Sequence, residues 1–356
     1  MTSFVRDRIR RIAAAAAYPL DPADYLDMFR PLRAGADLRA RVVEVRAETA
    51  AAVTVVLRPG RAWRGHLPGQ YVRIGLDVDG VRRWRSYSLT SAPGAADGLL
   101  TITAKAVPDG VVSAHLTQEL KPGQLVHLDQ AVGDFVLPDP APGKVLFVTG
   151  GSGITPVMGM LRAGLDRLTD VVLVHSEACA DDVIFGDELR GFAERGRLRL
   201  VEQHTDTNGR LDVAALADLV PDLAERTTWA CGPAGLLDAI EEQWATLGQP
   251  DRLHTERFRT ALVEPGEGGI IRFSGTGMDT VLEVDGATSI LDAGEQSGVL
   301  MPSGCRMGIC FSCVLPLREG AVRDLRSGDV TTAAPGDGVL IQTCVSAAAG
   351  ACDIDL

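Results

Sequence analysis

The sequence contains no run of eighteen apolar residues, which excludes a membrane-spanning helix. Its first twenty residues hold an alanine run, but also Arg6, Arg8, Arg10 and Arg11, and no long apolar stretch. They do not read as a secretory signal. There is no basic surplus: 35 Lys and Arg stand against 47 Asp and Glu, a net charge of −12, which argues against a nucleic-acid partner. The six histidines, His66 and His115 among them, show no metal-ligand spacing. Paired C-x2-C knuckles are missing too, which argues against structural zinc. No internal repeat occurs, and no low-complexity tract beyond the alanines. A disulfide framework is also lacking. Of the seven cysteines, Cys179, Cys231 and Cys352 follow no pattern, and an odd set of thiols fits a reducing cytoplasm.

The other four cysteines do follow a pattern. Cys305, Cys310 and Cys313 form C-x4-C-x2-C, and Cys344 follows 31 residues later. This is the plant-type ligand spacing for a 2Fe–2S cluster, in which each iron takes two thiolates. Ser303, Gly304, Gly308 and Ser312 are small enough for the loop backbone to curl over the sulfurs and aim N–H groups at them. Residues 270–356 carry five Arg, no Lys and eleven Asp or Glu. The acidic surplus either steers a basic protein partner or serves solubility.

Five regions are expected. Residues 1–36 form a preamble with helical composition and a basic face over Val5–Ala17, broken by Pro19, Pro22 and Pro31. Asp21-Pro22 resembles a helix start. The preamble is read as a short helix docked on the next domain, with a peripheral contact to an acidic membrane as the alternative. Residues 37–140 hold short β-branched strands, at 41–45, 53–57, 71–76, 99–104 and 125–128, separated by Pro-Gly and Asp-Gly turns. This pattern predicts a small antiparallel barrel. Residues 141–259 alternate strands (145–148, 171–174, 228–231, 254–258) with helices (156–168, 187–195, 212–219, 234–247), which predicts a doubly wound α/β parallel sheet. Residues 260–269, with Glu264-Pro265-Gly266-Glu267-Gly268-Gly269, read as a linker, and 270–356 as an α+β, β-grasp-like ferredoxin domain.

Two constellations carry further chemistry. Arg85-Ser86-Tyr87-Ser88 ends a barrel strand. Arginine offers a planar fork to a pyrophosphate, the tyrosine ring can stack on an isoalloxazine, and a serine hydroxyl can bond the reactive edge of that ring. Pro68-Gly69-Gln70-Tyr71-Val72 precedes it, and Gly110-Val111-Val112-Ser113 opens a helix expected over 113–120. A helix start with a free Ser113 hydroxyl is a ready diphosphate site. Farther on, Gly150, Gly151, Ser152, Gly153 and Thr155 lie between a strand and a helix, where glycines let the backbone approach a dinucleotide pyrophosphate. Cys231-Gly232-Pro233 ends another strand of the same sheet. Ser176 follows a strand where such folds read the adenosine ribose, and it suits a 2′-phosphate, which Glu177 beside it does not. The next strand end, His204-Thr205-Asp206, lacks an arginine, and Arg190 and Arg210 have no assigned place. NADPH against NADH stays open.

Taken together, the Arg85–Ser88 neighbourhood resembles the flavin domain of the ferredoxin–NADP reductase superfamily, and the three regions from Asp37 to Leu356 resemble bacterial three-module reductases. The preamble, with Pro19–Leu26, resembles actinobacterial reductases that serve acyl-CoA desaturases or haem-thiolate or Rieske oxygenases. The resemblance implies an NAD(P)H-dependent oxidoreductase. Hydride would pass to a flavin held by Arg85, Ser86, Tyr87, Ser88, Lys105, Gly110, Val112 and Ser113. FAD is preferred over FMN because the Gly110–Ser113 turn offers a second phosphate site. Ser88 and Cys231 would stand at the hydride path, and single electrons would leave through the cluster to a protein acceptor. A redox sensor and an NAD(P)H oxidase are the competing readings, and acceptor dependence separates them.

Overall fold

The computed structural model describes residues 29–33, 36–78, 80–107, 110–258, 266–275, 278–304, 306, 308 and 311–356. The expected preamble helices and the cluster-loop residues Cys305 and Cys310 lie outside the described residues. No helix among the described residues is long and apolar enough to cross a membrane.

Three sheets make three layers of the chain. The first contains β1 (Arg39–Thr49), β2 (Ala52–Pro59), β3 (Tyr71–Val78), β4 (Val81–Ser88), β5 (Leu100–Lys105) and β6 (Leu125–Leu128), in the order β4-β3-β6-β1-β2-β5 with antiparallel neighbours. A bridge between Leu89 and Ile102 joins the two ends of that order, so the sheet curls into a barrel. Val55, Val72, Ile74, Leu89, Ile102 and Leu116 fill it, each almost wholly removed from water. Burial of each such side chain is worth about 1.5–3 kcal/mol. Helix α1 (Val111–Gln118) lies against the barrel through Val112 and Leu116.

The second sheet is parallel, with β7 (Lys144–Gly150), β8 (Asp170–Glu177), β9 (Arg199–His204), β10 (Thr227–Cys231) and β11 (Leu253–Glu256) in the order β11-β10-β7-β8-β9. Helices α2 (Ile154–Gly164), α3 (Gly186–Glu194) and α4 (Ala234–Thr246) pack on it. The helix expected over Asp212–Leu219 is a single turn, Leu216–Leu219. The Asp212 carboxylate instead accepts the Ala214 N–H at 3.0 Å, and this local bond competes with helix formation.

Barrel and parallel sheet share a core. Phe135 and Leu137, just past β6, pack with Val145, Phe147, Met158, Leu161 and Trp229. Trp229 Nε1 donates to the Val136 carbonyl at 3.1 Å, and Arg162 Nη1 to the Thr90 carbonyl at 2.8 Å. Nearly all of α2 is buried because it lies between the two sheets. A Cβ on Gly159 would come within 2.3 Å of the Leu89 carbonyl oxygen, so only glycine lets the helix approach the barrel this closely.

The third sheet holds β12 (Gly266–Gly275), β13 (Met278–Gly286), β14 (Val314–Asp324), β15 (Val330–Ala333), β16 (Val339–Gln342) and β17 (Ser346–Asp355). Its order is β13-β12-β17-β14-β15, with β16 on β14 and a parallel β12–β17 pair at the centre. Helix α5 (Ile290–Gln296) crosses it, capped by Ser289 Oγ, which accepts the Asp292 N–H at 3.1 Å. One expectation is corrected here. Gly266–Gly269, read as linker, are the first residues of β12, and Gly268 and Gly269 pair with Ala349 and Val284. A Cβ on Gly269 would meet the Gly350 carbonyl oxygen at 2.0 Å. The glycines that look like flexible tether are what a tightly apposed strand requires.

Candidate active site and redox centre

The edge strand β4 ends in Arg85-Ser86-Tyr87-Ser88. Burial draws the Arg85 guanidinium down to about 10, with repulsion from Arg306 as the second cause, so this cation is desolvated and wants an anion. One of its amino groups donates to the Trp84 carbonyl at 2.8 Å. Burial pushes the Tyr87 phenol above its usual range. The hydroxyls of Ser86 and Ser88 are buried without a hydrogen-bond partner among the described residues. Buried polar atoms are nearly always satisfied, and two orphans in one tetrapeptide mark a place for a polar ligand. A flavin fits this donor set: fork, ring and hydroxyl in one strand end.

The α1 end of the site differs from expectation. The Ser113 hydroxyl is not free. It donates to the Gly110 carbonyl at 2.9 Å and accepts the Val107 N–H at 3.2 Å, closing its own loop. The Val112 side chain is in the barrel core, 1% exposed. Diphosphate binding here would fall to the backbone N–H groups of the helix start. Lys105, at the end of β5, pairs with Glu177 of β8 at 2.9 Å, linking barrel to parallel sheet.

Beside that link opens a cavity of about 1350 Å³ at the carboxyl ends of the parallel strands. Gly150, Gly151, Ser152, Gly153, Ser176, Gly232 and Pro233 line it, so the structure brings the expected nucleotide loops together. Gly151 has φ of 56°, and a Cβ on Gly153 would lie 2.0 Å from the Cys231 carbonyl oxygen. Two residues stand back from the wall. Thr155 is 2% exposed and its hydroxyl donates to the Ser152 carbonyl at 2.9 Å, so it braces the loop. Cys231 is fully buried. Arg190 is committed to Glu202 through two hydrogen bonds, whereas Arg210 and Thr205 line the cavity. The Glu177 carboxylate is occupied by Lys105 and the Ala178 N–H, which removes its charge as an obstacle to a 2′-phosphate at Ser176.

Glu256 was not singled out in the sequence. It faces Cys231 across the β10–β11 pair. Its Oε2 is buried without a partner among the described residues, and burial pushes the carboxyl up to about 8, so it holds a proton at neutral pH. Burial first, and Glu256 second, raise the Cys231 thiol well above its usual range. A carboxylate at the carboxyl end of a parallel strand, next to a turn that reads as nucleotide-binding, was the available signal. The linkage runs against stability. The folded state keeps this proton up to about 8, while the unfolded chain releases it near 4.5, so folding loses free energy as pH rises between these values. Glu256→Gln should therefore gain on the wild type by a few kcal/mol as pH is raised from about 5 to 8, read as diverging unfolding midpoints.

At the cluster loop, Cys313 and Cys344 are buried with their sulfurs 3.2 Å apart. The hydrogen bond between them, together with backbone N–H groups, pushes the Cys313 thiol down to about 6. Arg306, Gly308 and Phe311 all have φ between 56° and 71°, so the backbone turns at these positions, and of the small residues singled out in the sequence only Gly308 is among them. Behind the loop, Arg326 and Gln342 donate to the Gly308 carbonyl at 3.1 and 2.9 Å. These buried, paired sulfurs and the braced loop fit a 2Fe–2S cluster, with Cys305 and Cys310 as its other two ligands by spacing.

Comparisons with known proteins agree with this geometry. The family model for the oxidoreductase FAD-binding domain matches residues 49–137, that for the oxidoreductase NAD-binding domain 147–242, and that for the 2Fe-2S iron-sulfur cluster binding domain 275–349. A Mycobacterium tuberculosis protein named NADPH oxidoreductase is 48% identical over 98% of this chain and 92% of its own length. The glycine betaine monooxygenase reductase subunit of Pseudomonas aeruginosa is 31% identical over 78% of this chain and 84% of its own. The solved structure of phthalate dioxygenase reductase superposes with a TM-score of 0.64 at 22% identity, covering 89% of this chain and 97% of that one. The chain therefore belongs to the ferredoxin–NADP reductase superfamily, as a three-module NAD(P)H-dependent reductase that uses FAD and a 2Fe–2S cluster.

Proposed function

We propose that this reductase draws electrons from NADPH and delivers them to a separate oxygenase or desaturase in the cytoplasm. The observation that carries the reading is the position of the barrel, which meets the nucleotide cavity through Lys105–Glu177 and the cluster loop through Arg73–Ser312. The three modules, taken as residues 37–140, 141–259 and 266–356, are thus connected in series. Bound FAD would supply hydride acceptance and a bound 2Fe–2S cluster one-electron acceptance, chemistry that side chains do not supply.

The chain's own residues bind and orient. Arg85 neutralises the flavin diphosphate, Tyr87 backs the ring, and Ser88 offers its unpartnered hydroxyl to the reactive edge. Ser86, Lys105 and the Gly110–Ser113 backbone complete the flavin site. Gly150–Gly153 approach the NADPH pyrophosphate, and Gly232 and Pro233 border the nicotinamide. Cys231 and protonated Glu256 form a neutral, water-poor floor beneath it. Cys305, Cys310, Cys313 and Cys344 hold the cluster.

NADPH is preferred over NADH because Arg210 and Ser176 line the same cavity and offer a cation and a hydroxyl to a 2′-phosphate, and the mycobacterial relative is named for NADPH. A monooxygenase partner is named for the Pseudomonas relative. Steady-state kinetics test the coenzyme assignment. Arg210→Ala should raise KM for NADPH by about tenfold or more, the value of a lost charge-assisted bond, and leave KM for NADH nearly unchanged. Equal losses with both coenzymes would remove Arg210 from the 2′-phosphate site.

A further inference from the structure

The β3–β4 hairpin of the flavin barrel holds a built socket for the cluster loop. Arg73 of β3 is oriented from two sides. Its Nε and Nη2 bond the Asp129 carboxylate, and its guanidinium lies 5.6 Å from the centre of the Trp84 ring. Trp84 is in turn packed edge-on to His127 at 6.2 Å, over Gly75, where a Cβ would come within 2.9 Å of the indole. Held in this way, Arg73 presents Nη1 to Ser312 Oγ at 2.8 Å. Ser312 immediately precedes Cys313. Its other neighbour, Phe311, is 67% exposed, so the loop turns one residue to the barrel and the next to solvent.

A second set of contacts comes from the other face of the hairpin. Strand alternation puts Arg83 and Arg85 opposite to Trp84 and Ser86. Arg83 reaches Glu295 of α5 at 3.5 Å. Glu295 also pairs with Arg306 of the cluster loop, and Arg306 pairs with Asp292 of the same helix. The edge strand β4 is thus flanked on both faces by groups from the cluster-bearing module.

We propose that Arg73 and Arg83 are the positioning residues for electron transfer between the two cofactors, clamping the cluster loop to the flavin barrel, with Asp129 acting through Arg73. The clamp is polar and partly exposed, with the Arg73 and Arg83 side chains 23% and 25% accessible. It is therefore reversible and sensitive to salt. The inference rests on the relay reading above.

The test uses the full chain loaded with flavin and iron: wild type, Arg73→Gln, Arg83→Gln, the double variant, Asp129→Asn and Arg73→Lys. Rapid mixing with NADPH follows flavin bleaching and the electron paramagnetic resonance signal of the reduced centre separately. Flavin bleaching, iron content and the shape of that signal should match the wild type throughout. Reduction of the centre should slow by about tenfold or more in the double variant, because misplacement of reacting groups by even an ångström is costly. Arg73→Lys should retain an intermediate rate. Asp129→Asn should slow the same step, because the Asp129 carboxylate holds Arg73 in place. Raised salt should slow the wild type and leave the double variant nearly flat. A double variant that reduces the centre at the wild-type rate would overturn the clamp, as would one in which flavin bleaching slows equally. If NADPH fails to reduce the centre even in the wild type, the relay reading falls, and the clamp with it.

Discussion

A chain ending after Pro265 should keep reducing ferricyanide and lose cytochrome c reduction almost completely. The first half of this expectation comes from the core shared by barrel and parallel sheet, which closes before that point, with Trp229 and Phe147 completely buried in it. The second half comes from the relay, in which single electrons leave through the cluster. Cys344→Ser in the intact chain should reproduce the loss, and iron analysis should show the cluster gone. Charge supplies an independent check. Residues 270–356 have eleven acidic against five basic side chains, so a basic acceptor is drawn toward them. The rate with cytochrome c should fall as salt rises, and the rate with anionic ferricyanide should not fall with it. Equal cytochrome c rates for the shortened and intact chains would show that electrons leave from the flavin instead.

Arg85→Ala should release the flavin on gel filtration. The guanidinium is desolvated enough to be drawn down to about 10, so it gives up much of its hydration and is not compensated by a carboxylate of its own strand. Removal of one partner from a buried charge pair costs on the order of 2–5 kcal/mol, equivalent to a thirtyfold or greater loss of affinity. The measurement is the flavin-to-protein absorbance ratio before and after the column. Stoichiometric flavin in the variant would place the diphosphate elsewhere, with the α1 backbone as the remaining donor set.

Local signals carried much of this architecture. Ligand spacing alone joined Cys313 to Cys344, whose sulfurs stand 3.2 Å apart. The change from strand-turn punctuation to strand-helix alternation near Lys144 marked the passage from barrel to parallel sheet. Signals that depend on tertiary neighbours stayed hidden. Ser113 looks like a free helix-start hydroxyl until Val107 and Gly110 fold back onto it. Thr155 looks like a loop donor to the ligand, yet it is spent on Ser152. Glu256 carries no mark of its own in the sequence, and only the fold reveals its burial. Arg73 and Ser312 are 239 residues apart, so no local pattern could pair them. Gly266–Gly269 show the opposite error, because glycine serves both loose tethers and close backbone contact, and sequence cannot tell which.

The packing of Phe135, Leu137 and α2 also bears on how such chains recombine over evolution. A crossover between Leu137 and Lys144 would divide one hydrophobic core between two parents, separating Phe135 from Trp229 and Gly159 from Leu89. Few hybrids would survive that cut, so barrel and nucleotide domain are expected to travel as a pair. A crossover just before Gly266 separates surfaces that, among the described residues, are joined through polar side chains such as Arg73, Arg83, Ser312 and Glu295, which a lineage can rebuild one substitution at a time. The cluster-bearing unit is therefore the exchangeable piece, and acceptor choice can diverge while the hydride-handling pair stays fixed.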